Sequence, residues 1–150
     1  MEGSDDAGRD RVDLEFAVLI VRYTELPGVT GTAPRPLLDV SLADLGSVLL
    51  PCLVDSGAVN TLLPSWPAEV AGLNLAGAEE RVLGVGGALV RARLTVIRMA
   101  AAGLTWEAEV GFCDAWPYAW GLLGHQSFFR WFTVTFRAAD FEFELDPDPA

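Results

Sequence analysis

Asp55 stands where an apolar run ends and a glycine-containing turn begins, within the segment Cys52-Leu53-Val54-Asp55-Ser56-Gly57-Ala58. A carboxylate at the buried end of a strand loses hydration, so it needs hydrogen bonds or a charged partner there. One interpretation is a structural Asp whose oxygens accept backbone N–H groups in an Asx turn. The other is a carboxylate that exchanges protons with a substrate as a general acid or base. Taken alone, the tripeptide Asp55-Ser56-Gly57 favours the structural interpretation and leaves the chemical one open.

A second segment, Arg81–Arg93, is centred on the glycine-rich tetrapeptide Gly84-Val85-Gly86-Gly87. Alternating residues on both sides of these glycines predict a β-hairpin with its tip at the tetrapeptide. The hairpin is either an ordinary glycine-rich turn or a mobile flap that closes over a substrate, excludes water and offers backbone N–H donors. A phosphate-binding loop is excluded, because no lysine follows the glycines and the flanks lack a strand-then-helix pattern.

A third segment, Leu122-Leu123-Gly124, precedes a short predicted helix. In this order and on an all-β background, the three segments resemble the retropepsins, the retroviral-type aspartic proteases. The resemblance covers residues 14–145 and implies a small closed β-barrel. It also implies that Asp55 is catalytic in a loop supported by Ser56, Gly57 and Ala58, that Gly84, Val85, Gly86 and Gly87 form the flap tip, and that Leu122, Leu123 and Gly124 pack beside the catalytic loop.

The chemistry implied by this resemblance needs more than one carboxylate. Hydrolysis of a peptide bond by aspartates requires two carboxyl groups about 3 Å apart, one acting on a water molecule while the other protonates the carbonyl oxygen. The sequence contains one Asp-(Ser/Thr)-Gly tripeptide, since Asp44-Leu45-Gly46 lacks the hydroxyl. We therefore expect a homodimer in which Asp55 meets its counterpart across a two-fold axis. By resemblance, Ser56 would hydrogen-bond to the opposing loop, and Gly57 leaves room for a substrate backbone.

Several features depart from the retropepsin pattern. Val59 and Asn60 follow the Asp-Ser-Gly-Ala segment, where retroviral members commonly carry a second acid. His125 occupies a position where a charged residue is frequent, and it is either the first residue of a helix or a pH-sensitive group near a dimer interface. Phe141–Leu145 adds a strand that would change the dimer or block the usual one. The loop Trp116–Trp120 either lines a substrate groove or covers the core or a subunit interface.

Apolar and polar residues alternate with a period of two along much of the chain, which predicts strands with one solvent-facing side. The predicted strands are Leu14–Tyr23, Leu38–Leu42, Val48–Val54, Arg81–Leu83, Ala88–Met99, Leu104–Phe112, Trp131–Arg137 and Phe141–Leu145, with turns at Asp44–Gly46, Gly84–Gly87 and Ala101–Gly103. Two short helices are predicted, one from Ser65 to Gly72 and one around Gln126–Arg130. The fold class is therefore mostly β, a compact barrel or sandwich, which the resemblance narrows to a closed retropepsin-type barrel.

The charge composition excludes several classes of partner. All ten cationic residues are arginines, and 21 acidic residues give a net charge of −11, so no basic surface is available to neutralise a nucleic-acid backbone. The longest apolar run, Phe16–Val21, has six residues, far fewer than the ~20 that cross a bilayer. The acidic segment Met1–Glu15 is unlike a signal peptide. We expect a cytoplasmic protein that contacts neither nucleic acid nor a membrane.

Cysteine and histidine content limits the metal and redox chemistry that is possible. Cys52 and Cys113 lie far apart without a Cys-x-x-Cys spacing, which predicts two reduced core thiols. His125 is the single histidine, so a multi-histidine metal site is excluded. We expect no metal and no cofactor.

The length of 150 residues fits one domain. Residues 1–13 are predicted to be a disordered acidic tail, 14–145 the retropepsin-like domain, and 146–150 a flexible tail because alternating prolines interrupt a sheet ladder. We predict an aspartic endopeptidase that acts as a homodimer on a peptide or protein substrate. The alternative is a non-catalytic retropepsin-fold module that binds peptides or proteins, or that only dimerises.

Overall fold

The computed structural model describes residues 18–43 and 48–148. The strands in these ranges are β1 (Leu19–Arg22), β2 (Leu37–Leu42), β3 (Leu49–Val54), β4 (Thr61–Pro64), β5 (Glu79–Val85), β6 (Ala88–Ala101), β7 (Leu104–Asp114), β8 (Gly121–Leu123), β9 (Phe132–Arg137) and β10 (Glu142–Pro147). Helix α1 spans Trp66–Val70, a π-helical turn spans His125–Phe129, and a 3₁₀ turn spans Ala138–Asp140. The predicted mostly β class is confirmed.

Six strands close into a barrel in the order β2-β3-β8-β4-β7-β6. The ring closes because β6 pairs back onto β2, with Leu42 opposite Met99. β3–β8 and β4–β7 are parallel pairs, and the other pairs in the ring are antiparallel. β5 extends the sheet beyond β6 and stands outside the closed ring. The predicted closed barrel is therefore confirmed.

Two-residue turns connect β5 to β6 and β6 to β7. Gly86 and Gly87 have φ angles of +55° and +82°, and Ala102 and Gly103 have φ angles of +50° and +79°. Positive φ at both central residues characterises the type I′ turn, whose twist matches that of the flanking strands. Because β6 has 14 residues, one continuous strand forms both a wall of the barrel and one arm of the glycine-rich hairpin.

A second sheet brings the first and last described strands together in the order β1-β10-β9, with antiparallel pairing throughout. Phe143 and Leu145 of β10 point into the core and are almost fully buried. The glutamates between them, Glu142 and Glu144, lie on the more accessible face. The additional C-terminal strand predicted from the alternation is confirmed.

The prediction that the C-terminal tail begins at residue 146 is wrong, because β10 continues to Pro147. Asp146 lies opposite Thr133 and Pro147 opposite Phe132. The next residue, Asp148, donates its N–H to Trp131 O at 2.8 Å. In an antiparallel ladder the neighbouring residue directs its N–H the other way, so the N–H that Pro147 lacks would point away from β9. Proline is tolerated at such a position.

Two strands, β4 and β8, were not predicted. They have four and three residues, and every one of them is buried. A short, entirely buried strand shows no alternation, and it cannot be distinguished from other apolar runs by its periodicity.

Both predicted helices form. Helix α1 follows Ser65 with a proline in its first turn, and Gly72 with φ +71° follows its end. The second forms one residue early, as the π-helical turn that begins at His125. Within the described residues, no helix has the length and apolar character to span a membrane.

Some predictions fall on residues that the structure does not describe. The N-terminal tail 1–13, the first four residues of the predicted strand 14–23, the turn 44–46 and the final residues 149–150 lie outside the described ranges.

Within residues 18–43 and 48–148, the buried apolar residues form two clusters. The main cluster lies between the barrel and the β1-β10-β9 sheet and includes Trp106, Phe128 and Phe132, whose rings pack at centroid distances of 4.9 to 5.6 Å. The Trp106 Nε1–H donates to Ser127 O at 2.9 Å, which satisfies the buried indole. The second cluster lies beneath the β5–β6 hairpin and includes Val85 and Trp120.

Cys52 and Cys113 are buried free thiols, as predicted. Burial raises the pKa of Cys113 to about 12, with a smaller contribution from the negative charge of Asp114, and burial also strongly raises the pKa of Cys52.

Because burial raises the pKa of both thiols, we predict that the folded protein loses stability in alkaline solution. Unfolded thiols ionise near pH 9, so the stability conferred by keeping them protonated is complete below that pH and is lost as pH rises towards the folded pKa values. We expect the free energy of unfolding in urea to fall between about pH 9 and 11, by up to ~1.4 kcal/mol per pH unit for each thiol. A Cys52→Ala/Cys113→Ala variant should show a shallower decline, and equal slopes would contradict this account.

Candidate active site

Asp55 is the first residue after β3, and the backbone of β8 fixes its position. β3 and β8 pair in parallel with Val54 opposite Leu123, and the Asp55 N–H donates to Leu123 O at 3.1 Å. Val54 is 3% exposed and Leu123 is fully buried, so both strand ends are anchored in the core. Asp55 is consequently half-buried at the boundary between the core and the solvent.

The residues after Asp55 form a tight turn around its carboxylate. The Gly57 N–H donates to Asp55 Oδ1 at 2.9 Å, which is an Asx-turn bond, and the Ala58 N–H donates to Asp55 O at 3.1 Å. Ser56 and Gly57 are exposed. A Cβ at Gly57 would lie 3.2 Å from Asp55 Oδ1, so glycine leaves space beside the carboxylate. No hydrogen bond from a described residue reaches Oδ2, so the structural turn leaves one carboxylate oxygen available.

Residues 123–126 hold the loop 55–61 from its inner side. The bonds run from Asp55 N–H to Leu123 O, from Gly124 N–H to Thr61 Oγ1, from His125 N–H to Ala58 O and from Gln126 N–H to Val59 O, at distances of 2.9 to 3.1 Å. The structure therefore places the Leu122-Leu123-Gly124 segment directly beside the Asp55 loop.

Gly124 and Thr61 form the tightest part of this contact. A Cβ at Gly124 would overlap the carbonyl oxygen of Asn60 and would lie 2.9 Å from Ala58 O. Thr61 is fully buried, and its hydroxyl accepts the Gly124 N–H. Sequence reasoning missed Thr61, because its partner lies 63 residues away and no local pattern marks it.

His125 contacts the same loop through its side chain. Its Nε2 lies 2.5 Å from Ser56 O. A carbonyl oxygen only accepts hydrogen bonds, so this contact is a hydrogen bond in the tautomer that carries a proton on Nε2. The ring stacks on Phe129 with a centroid distance of 5.0 Å and an interplanar angle of 25°.

The β5–β6 hairpin supplies the second predicted segment. Gly84, Gly86 and Gly87 are exposed, whereas the Val85 side chain is buried in the second core cluster. Val85 therefore anchors the hairpin, and the exposed glycines of its turn stand beyond that anchor.

The loop Trp116–Trp120 packs against this hairpin. Tyr118 stacks on Trp120 at a centroid distance of 4.7 Å and meets Trp116 edge-on at 5.8 Å. Trp116 Nε1–H donates to Trp120 O at 2.8 Å, which closes the loop. A Cβ at Gly86 would overlap the Tyr118 hydroxyl. The aromatic loop thus covers the second core cluster and touches the hairpin tip.

Asp55 and the hairpin face a common cleft of about 370 Å³. Of the predicted site residues, Asp55, Gly57, Ala58, Gly84, Val85, Gly86 and Leu122 line it, together with Val59, Asn60, Leu62 and Leu83. Ser56, Gly87, Leu123 and Gly124 lie outside the lining. A larger cleft of about 600 Å³ lies beside Glu107 and Trp131, and it contains none of the predicted site residues.

Comparison with known proteins identifies the fold. No protein-family model and no curated protein matches the sequence. A retropepsin-like aspartic protease from Rickettsia conorii superposes with a TM-score of 0.59 at 15% identity, over 86% of this chain and 89% of that chain. The retroviral protease-like domain of Ddi1 from Leishmania major superposes with a TM-score of 0.53 at 19% identity, over 68% of this chain and 82% of that chain. The chain therefore has a retropepsin-like fold, as the motifs predicted.

The close contact between Gly124 and the loop predicts that a side chain at position 124 destabilises the fold. Gly84 provides the matched control. Gly124→Ala should lower the free energy of unfolding by about 1–3 kcal/mol, because the Cβ meets backbone that cannot move freely. Gly84→Ala meets no atom of the described residues within 4 Å and requires no positive φ, so it should change stability by less than about 1 kcal/mol. Urea denaturation of both variants measures the difference. Equal stabilities would show that the Asp55 loop is not held tightly against Gly124.

Proposed function

We propose that this retropepsin-like chain is an aspartic endopeptidase whose active site is completed by a second copy of the chain. Each copy contributes one Asp55 and one β5–β6 hairpin. The substrate is an extended peptide or protein segment bound between the two copies. The two carboxyl groups and a water molecule supply the chemistry, so no cofactor takes part.

The cleft is the observation that carries this proposal. Asp55 and the glycine-rich end of β5 line the same cleft. Among the described residues that line this cleft, Asp55 is the only titratable one. The other lining side chains are aliphatic, apart from the amide of Asn60. Since acid–base hydrolysis needs both a proton acceptor and a proton donor, the second carboxyl group has to come from another chain.

The loop that carries Asp55 has a suitable surface for meeting a copy of itself. Its inner side is bonded to residues 123–126, whereas Ser56 and Gly57 are exposed and the apolar Val59 is 58% exposed. A two-fold axis beside this surface would present the same loop twice and would cover Val59. Ser56 would then lie within reach of the opposing loop, in the role that the retropepsin resemblance implies.

The proposed reaction uses two Asp55 carboxyl groups that share one proton, because two negative charges about 3 Å apart repel strongly. The ionised carboxylate accepts a proton from water, and the water oxygen attacks the scissile carbonyl carbon. The protonated carboxyl gives its proton to the carbonyl oxygen. When the C–N bond breaks, the leaving nitrogen takes up a proton, the carbonyl re-forms as a carboxylic acid, and the pair again holds one shared proton.

The hairpin would cover the bound peptide. Gly86 and Gly87 form a turn outside the strand ladder, so their backbone N–H groups are free to approach a substrate carbonyl. Closure of the hairpin would exclude water from the site. Tyr118, which touches Gly86, would support the hairpin from the side of the aromatic loop.

The test is removal of the Asp55 charge. Asp55→Asn should abolish cleavage of a peptide library, with a loss of about 10³-fold or more, because the amide neither accepts nor shares the proton. The matched control is Asp140→Asn, at an exposed aspartate in the 3₁₀ turn, which should cleave like the wild type. Cleavage at mildly acidic pH is measured by mass spectrometry of the products.

Equal cleavage by the two variants would refute the assignment of Asp55. Absence of cleavage by a wild-type dimer that still binds library peptides would instead identify the non-catalytic binding module.

A further inference from the structure

We propose that His125 is a positioning residue that orients the Asp55 carboxylate through the single peptide group between Ser56 and Gly57. The two hydrogen bonds that orient Asp55 belong to the folded chain and do not depend on its activity. The effect of His125 on turnover rests on the proposed function.

The contact has two hydrogen bonds in series. His125 Nε2–H donates to Ser56 O at 2.5 Å, and Gly57 N–H donates to Asp55 Oδ1 at 2.9 Å. Ser56 C=O and Gly57 N–H belong to the same peptide group, which is planar and rigid. Holding the carbonyl at one end therefore fixes the direction in which the N–H points at the other end.

The same connection acts electronically. A hydrogen bond to a carbonyl polarises the peptide group, and the polarised N–H becomes a better donor. The bond from Gly57 to Asp55 is also of the stronger kind, because its acceptor is a carboxylate when Asp55 is ionised. His125 thus supports both the orientation of Asp55 and the strength of the bond that holds it.

His125 is held through its main chain and through its ring. Its backbone N–H donates to Ala58 O at 2.9 Å, which fixes the residue beside the loop. Its ring is exposed but stacks on Phe129, which restricts the imidazole while Nε2 lies against Ser56 O. His125 does not line the cleft, so its effect reaches the cleft through the Ser56–Gly57 peptide rather than by contact with a bound peptide.

The Gly57 amide proton reports on this contact directly. In ¹⁵N-labelled wild-type protein it should shift downfield relative to the same amide in His125→Phe, which keeps an aromatic ring for stacking but loses the donor. His125→Gln places an amide nitrogen near the position of Nε2 and should restore much of the shift. The Ala76 N–H donates to Asn74 Oδ1 at 2.9 Å, in a similar turn away from His125, and its resonance should stay unchanged in all three proteins.

A second measurement needs no variant. A long-range ¹H–¹⁵N spectrum of the wild-type ring in mildly alkaline solution should show the proton on Nε2. An Nδ1–H ring, or a Gly57 resonance that is the same in the wild type and in His125→Phe, would overturn the inference.

Turnover provides the readout that depends on the proposed function. Loss of an ordinary hydrogen bond in His125→Phe should lower kcat about 3- to 10-fold with little change in KM, and His125→Gln should recover most of the loss. A raised KM with unchanged kcat would overturn the positioning role. If the wild type cleaves nothing, the proposed function fails, while the Gly57 resonance still decides whether His125 orients Asp55.

Discussion

The site depends on the hydrogen bonds that tie the loop 55–61 to residues 123–126. The Leu123 carbonyl, the Gly124 N–H and the Thr61 hydroxyl belong to buried residues, and leaving one such buried group without a partner costs roughly 1–3 kcal/mol. The loop therefore has one favoured path. Along that path, the Asp55 carboxylate receives the Gly57 N–H on one oxygen and faces the cleft beneath the hairpin.

The barrel topology explains why these segments meet. β8 lies between β3 and β4, so the connection from β3 to β4 has to cross the end of β8. Gly124 lies beneath that crossing, where a side chain would strike the backbone of Asn60. The residues that continue from β8 into the π-helical turn then supply the N–H groups that the crossing loop needs. A fold that inserts β8 in this way presents the residue after β3 at the edge of the core.

Sequence patterns predicted what depends on local periodicity and turn chemistry. The alternation in β7, the paired glycines at Gly86 and Gly87, and the proline–glycine limits of α1 each act within a few residues, so the corresponding elements were found. β4 and β8 lack alternation because both of their faces are buried. His125 begins a helical turn, as one of its two interpretations predicted. The side-chain contacts of Thr61 and His125 were missed, since their partners lie 63 and 69 residues away and only the closed barrel brings them together. The motif order predicted the retropepsin-like fold, but no pattern in one chain describes how two chains pair.

In the proposed function Asp55 works only with its counterpart in a second chain, and subunit mixing tests this dependence most directly. Wild-type protein is mixed with a roughly ninefold excess of Asp55→Asn, which leaves about one wild-type chain in ten within a wild-type dimer after random exchange. Exchange is verified with labelled subunits. A shared dyad predicts that cleavage per wild-type chain falls about tenfold, because the Asn carboxamide cannot share the proton. Unchanged cleavage per wild-type chain, with exchange complete, would contradict the shared dyad.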